Sequence, residues 1–170
     1  MIILGIDPGF ERLGIAILEK NSGDKKEKVL FSKCFYTSAK LEFSERLVLI
    51  GKEVKSIIKE FKPDILSIET LFLTTNHKTV MHVAEARGVV IYEASCRGLK
   101  IFEASPPQIK IATTGYGKAN KEQIMKMVKI LVDINQNKTH PNNNSMVKES
   151  DDELDAIAIA LTAFAYIKKM

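Results

Sequence analysis

Four acidic residues stand at the ends of apolar stretches, where carboxylates are least expected. Asp7 ends an apolar run that begins at the N-terminus, and Glu69 ends a second run of the same kind. Asp152 and Asp155 open an equally apolar segment near the end of the chain. If these stretches converge, four like charges meet and raise each other's pKa values unless cations bind between them. Carboxylate oxygens in that number suit Mg²⁺ or Mn²⁺, so the four acids predict a divalent-metal site.

The chemistry expected of such a site is phosphodiester hydrolysis. Acids on a central strand, a neighbouring parallel strand and a terminal helix can hold two ions roughly 3.5–4 Å apart. One ion activates a water molecule and the other stabilises the leaving oxygen, so no serine or cysteine nucleophile is needed. Histidines do not offer a competing site, because His77 and His82 lie five residues apart and diverge on a helix.

Each acid also has a structural alternative. Asp7 precedes Pro8-Gly9 and is typical of a turn, and Glu69 is typical of an exposed strand end. Asp152 and Asp155 could simply complement a helix N-terminus, where the dipole favours anions. The metal site is favoured because all of these alternatives would have to hold together in one small domain.

Hydrophobic periodicity and turn residues predict the elements that position the acids. The predicted strands are residues 2–6, 13–19, 29–36, 65–68 and 99–104. The predicted helices begin after Ser44, at about Lys78, after Ser105, after Asn120 and at Ser150, and the second runs to about Arg97. The order βββαβαβα indicates an α/β fold with a five-stranded mixed sheet, in which the first three strands are antiparallel and the later ones parallel. Residues 1–170 are therefore predicted to form a single domain with helices on both faces of the sheet.

The composition limits the class of protein. The chain has 170 residues, 45% hydrophobic and 27% charged, with a net charge of +4, which is ordinary for a globular domain. It contains no apolar run long enough for a membrane helix and no secretion signal, so a cytoplasmic location is expected. Cys34 and Cys96 lack metal-ligand spacing and are predicted to be small buried residues. Two divalent ions would offset the four acids and leave a positive surface that suits a polyanion.

Four motifs, in order from residue 1 to about 168, resemble the RuvC family, the bacterial crossover junction endodeoxyribonucleases of the RNase H-like superfamily. The motifs are Gly5-Ile6-Asp7-Pro8-Gly9, Ile68-Glu69-Thr70-Leu71-Phe72, Ala86-Arg87-Gly88 and Asp152 to Ala158. The resemblance implies an RNase H-like fold and a homodimer that binds four-way (Holliday) DNA junctions. It also implies paired, symmetric nicks made in DNA recombination and repair.

The same resemblance assigns roles to individual residues. The four acids match metal-binding catalytic residues, with two Mg²⁺ ions per site and Mn²⁺ as a substitute. Phe72 matches an aromatic residue that the family inserts at the junction centre, where stacking is worth roughly 1–3 kcal/mol per base. Lys110 and Lys121 match basic residues near the scissile phosphate, and Lys121 is counted among the catalytic residues. Arg87 and Lys118 are weaker candidates for phosphate contacts.

These basic and aromatic residues have alternatives as well. Phe72 could belong to the core, although the segment after it turns polar, which favours exposure. Lys110 could be a solvated helix residue. Lys121 lies at a helix N-terminus, where a positive charge is unfavourable, and this favours a functional reason for it.

The helix predicted from about residue 78 to 97 supports pairing between subunits. Apolar residues cover more than one of its faces, which indicates burial on both sides, by the sheet and by a partner. A two-fold dimer would present two sites to a two-fold symmetric junction, whereas the alternative is an unusually buried helix in a monomer. The resemblance further implies a branch-migration helicase complex as a possible partner. Residues 135–149 are predicted to be a mobile loop longer than is usual for the family, and only Lys168-Lys169 remain of a basic tail.

Three other functions compete with the junction nuclease. A YqgF-type RNase H-like nuclease acting on RNA shares the opening Asp-Pro-Gly, but its relatives are usually shorter. An actin-like ATPase or sugar kinase also begins with a strand, an aspartate and a glycine-rich turn, but that class needs a duplicated domain. A catalytically idle junction-binding module would not require all four acids.

Overall fold

The computed structural model describes residues 1–71, 77–134 and 150–167. The strands are β1 (Ile2–Asp7), β2 (Arg12–Glu19), β3 (Glu27–Tyr36), β4 (Ile65–Glu69), β5 (Lys100–Ala104) and β6 (Val132–Ile134). The helices are α1 (Phe43–Phe61), α2 (His77–Ser95), α3 (Pro106–Thr114), α4 (Lys121–Leu131) and α5 (Asp151–Ile167). Phe72, residues 135–149 and Lys168-Lys169 lie outside the described residues, and so do the predictions made for them.

The strands form a mixed sheet in the order β5-β4-β1-β2-β3-β6. β1, β2 and β3 pair antiparallel, while β4 pairs parallel with β1 and β5 pairs parallel with β4. This confirms the predicted α/β class and the predicted strand directions. The short β6 extends the sheet by one strand, parallel to β3, just before the segment that was predicted to be a loop.

Helices cover both faces of the sheet, and each face has its own hydrophobic core. α3, α4 and α5 pack on one face against residues such as Ile3 and Ile65, whereas α1 and α2 pack on the other against Leu4 and Ile6. Because side chains alternate along a strand, the odd-numbered residues of β1 and β4 all face α5. α5 lies directly on the sheet, since Gly5 has no side chain there; a Cβ would come within 2.2 Å of the Ala156 carbonyl oxygen.

The predicted caps are present at α3 and α4, where Ser105 and Asn120 accept hydrogen bonds from the backbone N–H groups of the first turn. The prediction that Ser44 caps α1 is wrong. The N-cap is Glu42, paired reciprocally with Glu45, because the helix already begins at Phe43. The ring of Phe43, in the first turn of α1, stacks on His82 of α2 with centroids 4.1 Å apart.

The prediction of two buried cysteines is also wrong for Cys96, which is exposed, while Cys34 is half-buried. Cys96 is exposed because α2 ends at Ser95, two residues earlier than predicted, and the chain turns at the surface before β5. Within the described residues, no helix is both long and apolar enough to cross a membrane.

Candidate active site

Asp7 and Glu69 are neighbours at one edge of the sheet. Each is the last residue of its strand, and the parallel register pairs Ile6 of β1 with Ile68 of β4, so the two acids follow side by side. Both face α5 by strand alternation. Ser67, two residues before Glu69, faces α5 as well, because its hydroxyl donates a hydrogen bond to the Ile159 carbonyl.

The N-terminus of α5 supplies the other two acids. It lies over Gly14 of β2, the residue paired with Asp7, and a Cβ on Gly14 would come within 2.2 Å of the Asp152 carbonyl oxygen. Ser150 and Glu153 cap the helix reciprocally, and Glu153 also accepts a hydrogen bond of 2.6 Å from the Ser32 hydroxyl of β3. The first turn of α5 is therefore fixed over β2 and β3, beside Asp7 at the end of β1.

Asp152 and Asp155 point to different sides of this turn. Asp155 joins Asp7 and Glu69 in a cleft of about 160 Å³. Asp152 does not line this cleft; its carboxylate lies 3.5 Å from the Cys34 thiol and 3.5 Å from the Arg12 guanidinium. The structure thus brings three of the four predicted acids together and places the fourth immediately beside them, toward β3.

The acids repel one another. Burial, followed by the charges of Asp155, Glu69 and Asp152, raises the pKa of Asp7 to about 7. Burial and then the Asp155 charge raise the pKa of Glu69. Burial also raises the pKa of Asp155, although Lys121 opposes the shift. The cluster therefore carries more negative charge than its protein surroundings balance.

These residues fit a divalent cation by their chemistry. Hard oxygen donors from Asp7, Glu69 and Asp155 line one cleft, and a cation would relieve the repulsion that raises their pKa values. Among the described residues, no three His, Cys, Asp or Glu side chains are grouped closely enough to hold an ion without moving.

Two of the predicted lysines border the cleft. Lys110 of α3 lines it directly. Lys121 of α4 places its Nζ atom 3.1 Å from a carboxylate oxygen of Asp155 and 3.6 Å from one of Asp151. Partial burial lowers the pKa of Lys121, but the hydrogen bond and charge of Asp155 outweigh this and raise it overall. Lys121 is thus held protonated beside the acids.

The other two predicted basic residues differ in their surroundings. Lys118 is exposed in the turn between α3 and α4. Arg87 is largely covered, with 16% of its side chain exposed. Its Nε donates a hydrogen bond of 3.1 Å to the Glu69 carbonyl, and its guanidinium pairs with Glu103. The donors of Arg87 therefore hold the end of β4 beside the cleft.

Several residues at the site were not identified from the sequence. Arg12 and Cys34 contact Asp152, and Tyr36 follows Cys34 by two residues on the same face of β3. Strand alternation could have found them, because Arg12 and Gly14 share one face of β2 and Cys34 is the register partner of Gly14. The missing information was the position of α5 over Gly14.

The turn that follows Asp7 is fixed from the other side of the sheet. Arg46 of α1, a buried cation, donates to the Thr37 hydroxyl and to the Phe10 carbonyl, and its guanidinium lies 4.8 Å from the Phe10 ring centroid. His82 of α2 packs edge-on against the same ring. These contacts tie the turn carrying Asp7 to the starts of α1 and α2.

The comparison with protein families agrees with this geometry. The family model for crossover junction endodeoxyribonuclease RuvC matches residues 3–163. RuvC of Halothermothrix orenii is 38% identical over 161 residues, covering 95% of this chain and 90% of the relative. RuvC of Brachyspira hyodysenteriae is 40% identical over 162 residues, covering 95% of this chain and 92% of the relative.

The fold also matches a solved structure. T. thermophilus RuvC in complex with a Holliday junction substrate superposes with a TM-score of 0.85 at 28% identity. The match covers 99% of this chain and 96% of the T. thermophilus chain. The similarity therefore includes every described element that positions the acid cluster.

Proposed function

This chain belongs to the RuvC family of crossover junction endodeoxyribonucleases, and on that premise we propose that it resolves Holliday junctions by Mg²⁺-dependent hydrolysis at residues Asp7, Glu69 and Asp155. The observation that carries the proposal is the convergence of these three acids in one cleft beside two lysines. The T. thermophilus relative was solved with a Holliday junction substrate. The alternative of a YqgF-type nuclease acting on RNA is not favoured, because the family match spans residues 3–163.

Asp7, Glu69 and Asp155 would hold the divalent ions, and Asp152 would join them from the β3 side. When bound, two Mg²⁺ ions would supply an activated water and stabilise the leaving oxygen of the phosphodiester. Lys121 lowers the pKa of Asp7, but its effect is smaller than that of each of the three acids. The ionisation of Asp7 at neutral pH is therefore tied to ion binding.

Lys121 and Lys110 would act on the scissile phosphate directly. Both border the cleft, and Lys121 keeps its proton because of Asp155 and Asp151. A protonated lysine at this position stabilises the negative charge that develops on the phosphate oxygens in the transition state. Lys118, exposed in the next turn, would make a backbone contact further along the strand. We assign Arg87 to holding the Glu69 backbone.

Phe72 follows Glu69 by three residues and is proposed as the aromatic wedge that stacks on opened bases at the junction centre. Its role depends on the family resemblance and on its position directly after the acid cluster in sequence. A branch-migration helicase complex and a cytoplasmic location are proposed on the same family grounds.

A homodimer is proposed from an exposed stripe on α2. One face of α2 is buried against the sheet by Ala86, Val90 and Ala94. The opposite face is apolar yet exposed, and its residues recur at helical spacing: Met81, Ala84, Gly88 and Tyr92. A helix apolar on both sides indicates a second packing partner, and a two-fold partner would place two active sites on one junction.

Gly88→Glu tests the dimer. A Cβ at Gly88 meets nothing within 4 Å, so the chain itself tolerates the change, and a residue other than glycine stabilises a helix by several tenths of a kcal/mol. A second copy packed on the stripe would not tolerate a glutamate there. We expect sedimentation to give a dimer for the parent and a monomer for Gly88→Glu. Ser56→Glu, an exposed change on α1, is the control and stays dimeric; a dimeric Gly88→Glu would contradict the proposed interface.

The proposed activity is tested with three labelled substrates: a mobile four-way junction, a linear duplex of the same sequence and an RNA–DNA hybrid. Each is incubated with Mg²⁺ and with EDTA. We expect symmetric nicks in the junction alone, only with Mg²⁺, with ends carrying 5′-phosphate and 3′-hydroxyl groups. Preferred cleavage of the hybrid, or nicking in EDTA, would overturn the proposal. Phe72→Ala should slow cleavage of the mobile junction more than that of an already open one.

A further inference from the structure

Arg12 and Tyr36 form an exposed pair at the edge of the sheet that carries the acids. They are register partners, Arg12 at the start of β2 and Tyr36 at the end of β3. Both lie two residues beyond the paired Gly14 and Cys34, on the same face of the sheet, and so project past the N-terminus of α5. Each is 62% exposed, Arg12 measured over its side chain and Tyr36 over the whole residue.

The pair is linked to the active site through Asp152. Cys34, two residues before Tyr36 on the same face of β3, donates a hydrogen bond of 3.5 Å from its thiol to an Asp152 carboxylate oxygen. Arg12 lies 3.5 Å from the same oxygen and makes no other polar contact with the described residues. The neighbouring Glu11 carboxylate lies 3.8 Å from Arg46. Most of the guanidinium's donors therefore face solvent beside the acid cluster.

A basic side chain lies on each side of the first turn of α5. Asp155 on one side contacts Lys121, and Asp152 on the other contacts Arg12. A DNA strand whose scissile phosphate sits over the acids must leave the cleft on both sides. The lysines of α3 and α4 lie on one side of the acids, and the exposed pair of β2 and β3 lies on the other.

We infer that Arg12 and Tyr36 bind the nucleotide next to the scissile phosphate on the β3 side, an assignment that rests on the proposed function. Arg12 binds a phosphodiester oxygen, since a guanidinium offers several donors in one plane. Tyr36 stacks on the base, because an exposed aromatic residue beside a cation is the usual platform for an unpaired strand.

The test measures junction affinity in EDTA by fluorescence anisotropy at several salt concentrations, with 2-aminopurine placed next to the cut. Arg12→Gln should reduce the slope of log affinity against log salt by about one per subunit, because one fewer phosphate is neutralised. Tyr36→Ala should weaken binding about 5- to 150-fold without changing the slope, from stacking worth roughly 1–3 kcal/mol. Tyr36→Phe keeps the ring and should bind like the parent. Lys59→Gln, an exposed cation on α1 at the opposite end of the sheet, is the charge control.

The 2-aminopurine signal separates stacking from structural damage. Its fluorescence should be quenched by the parent and Tyr36→Phe, and not by Tyr36→Ala, while urea unfolding checks that all variants are folded. The inference is overturned if Arg12→Gln and Tyr36→Ala bind the junction with the affinity and the salt slope of the parent. A fall in nicking in these variants would not rescue it, because the pair would then only position Asp152. If the parent cleaves the junction with Mg²⁺ in that case, the proposed function stands. A parent that fails to cleave overturns both.

Discussion

Replacing Asp7 by asparagine should stabilise the protein in the absence of metal while abolishing nicking. Asp7 is an acid whose pKa is raised in the folded state from 3.8 to about 7, first by burial and then by Asp155, Glu69 and Asp152. An acid with a raised pKa costs stability once it ionises, since the unfolded chain releases the same proton more easily. The amide keeps the size of the side chain and removes the charge.

The magnitude follows from the two pKa values. Each tenfold change in the ionisation constant corresponds to about 1.36 kcal/mol, so the displacement from 3.8 to about 7 gives on the order of 4 kcal/mol. Water entering the half-open cleft screens part of this, which makes the figure an upper value. Because the pKa of Asp7 is higher in the folded than in the unfolded state, its ionisation destabilises the fold. This loss of stability is absent below about pH 4, grows as pH rises toward 7, and is complete above about pH 7.

The assay is urea unfolding in EDTA at about pH 4.5 and about pH 8. Asp7→Asn should be more stable than the parent at the higher pH, by between about 1 and 4 kcal/mol, and by only about a quarter of that gain at the lower pH. Asp133→Asn, an exposed acid of β6, is the matched control and should show no such pH-dependent gain. Mg²⁺ should stabilise the parent and not Asp7→Asn. An Asp7→Asn protein that is less stable than the parent at the higher pH would refute the electrostatic argument.

Three further changes test the positions of the acids and cations. Gly14→Ala should lower the free energy of unfolding by about 1–3 kcal/mol, because its Cβ would come within 2.2 Å of the α5 backbone. The control Gly117→Ala, whose Cβ meets only ordinary contacts, should leave the free energy of unfolding unchanged. Equal free energies of unfolding for Gly14→Ala and the parent would place α5 elsewhere. Lys121→Met should slow nicking about 10²- to 10³-fold with junction affinity nearly unchanged; loss of activity in the exposed control Lys126→Met would point to a general charge effect. Arg87→Met should raise the Mg²⁺ concentration needed for half-maximal nicking, since it frees the carbonyl at the end of β4. A reduced salt slope of junction binding in that variant would instead assign Arg87 to phosphate.

Strand periodicity was sufficient to predict five of the six strands and the strand ends that carry Asp7 and Glu69. β1 and β4 are apolar runs that end in a carboxylate, and odd-numbered side chains of both strands must face the same way once the strands pair in parallel. The capping pair Ser150 and Glu153 likewise fixed the start of α5. These features depend on residues close together in the chain, which is why the sequence alone is enough to infer them.

The features that the sequence did not reveal depend on how helices pack on the sheet. Asp152 and Asp155 are three apart and were expected to act together, but the helix lies over Gly14 so that one faces Arg12 and the other faces Lys121. The pairing of β4 with β5 also places Glu103 beside Arg87, whose guanidinium pairs with it, while the prediction that Arg87 contacts DNA stays a prediction. Sequence spacing carries no information on either packing angle or neighbouring strands.

The most direct test of the central claim is a crystal structure of the protein soaked with Mn²⁺, in which the anomalous signal reveals the metal. We expect anomalous peaks in the cleft, two of them roughly 3.5–4 Å apart, contacting carboxylate oxygens of Asp7, Glu69 and Asp155. Those peaks should be lost in Asp7→Asn. A cleft without metal at millimolar Mn²⁺, in a parent protein that still nicks junctions, would contradict the proposed metal site.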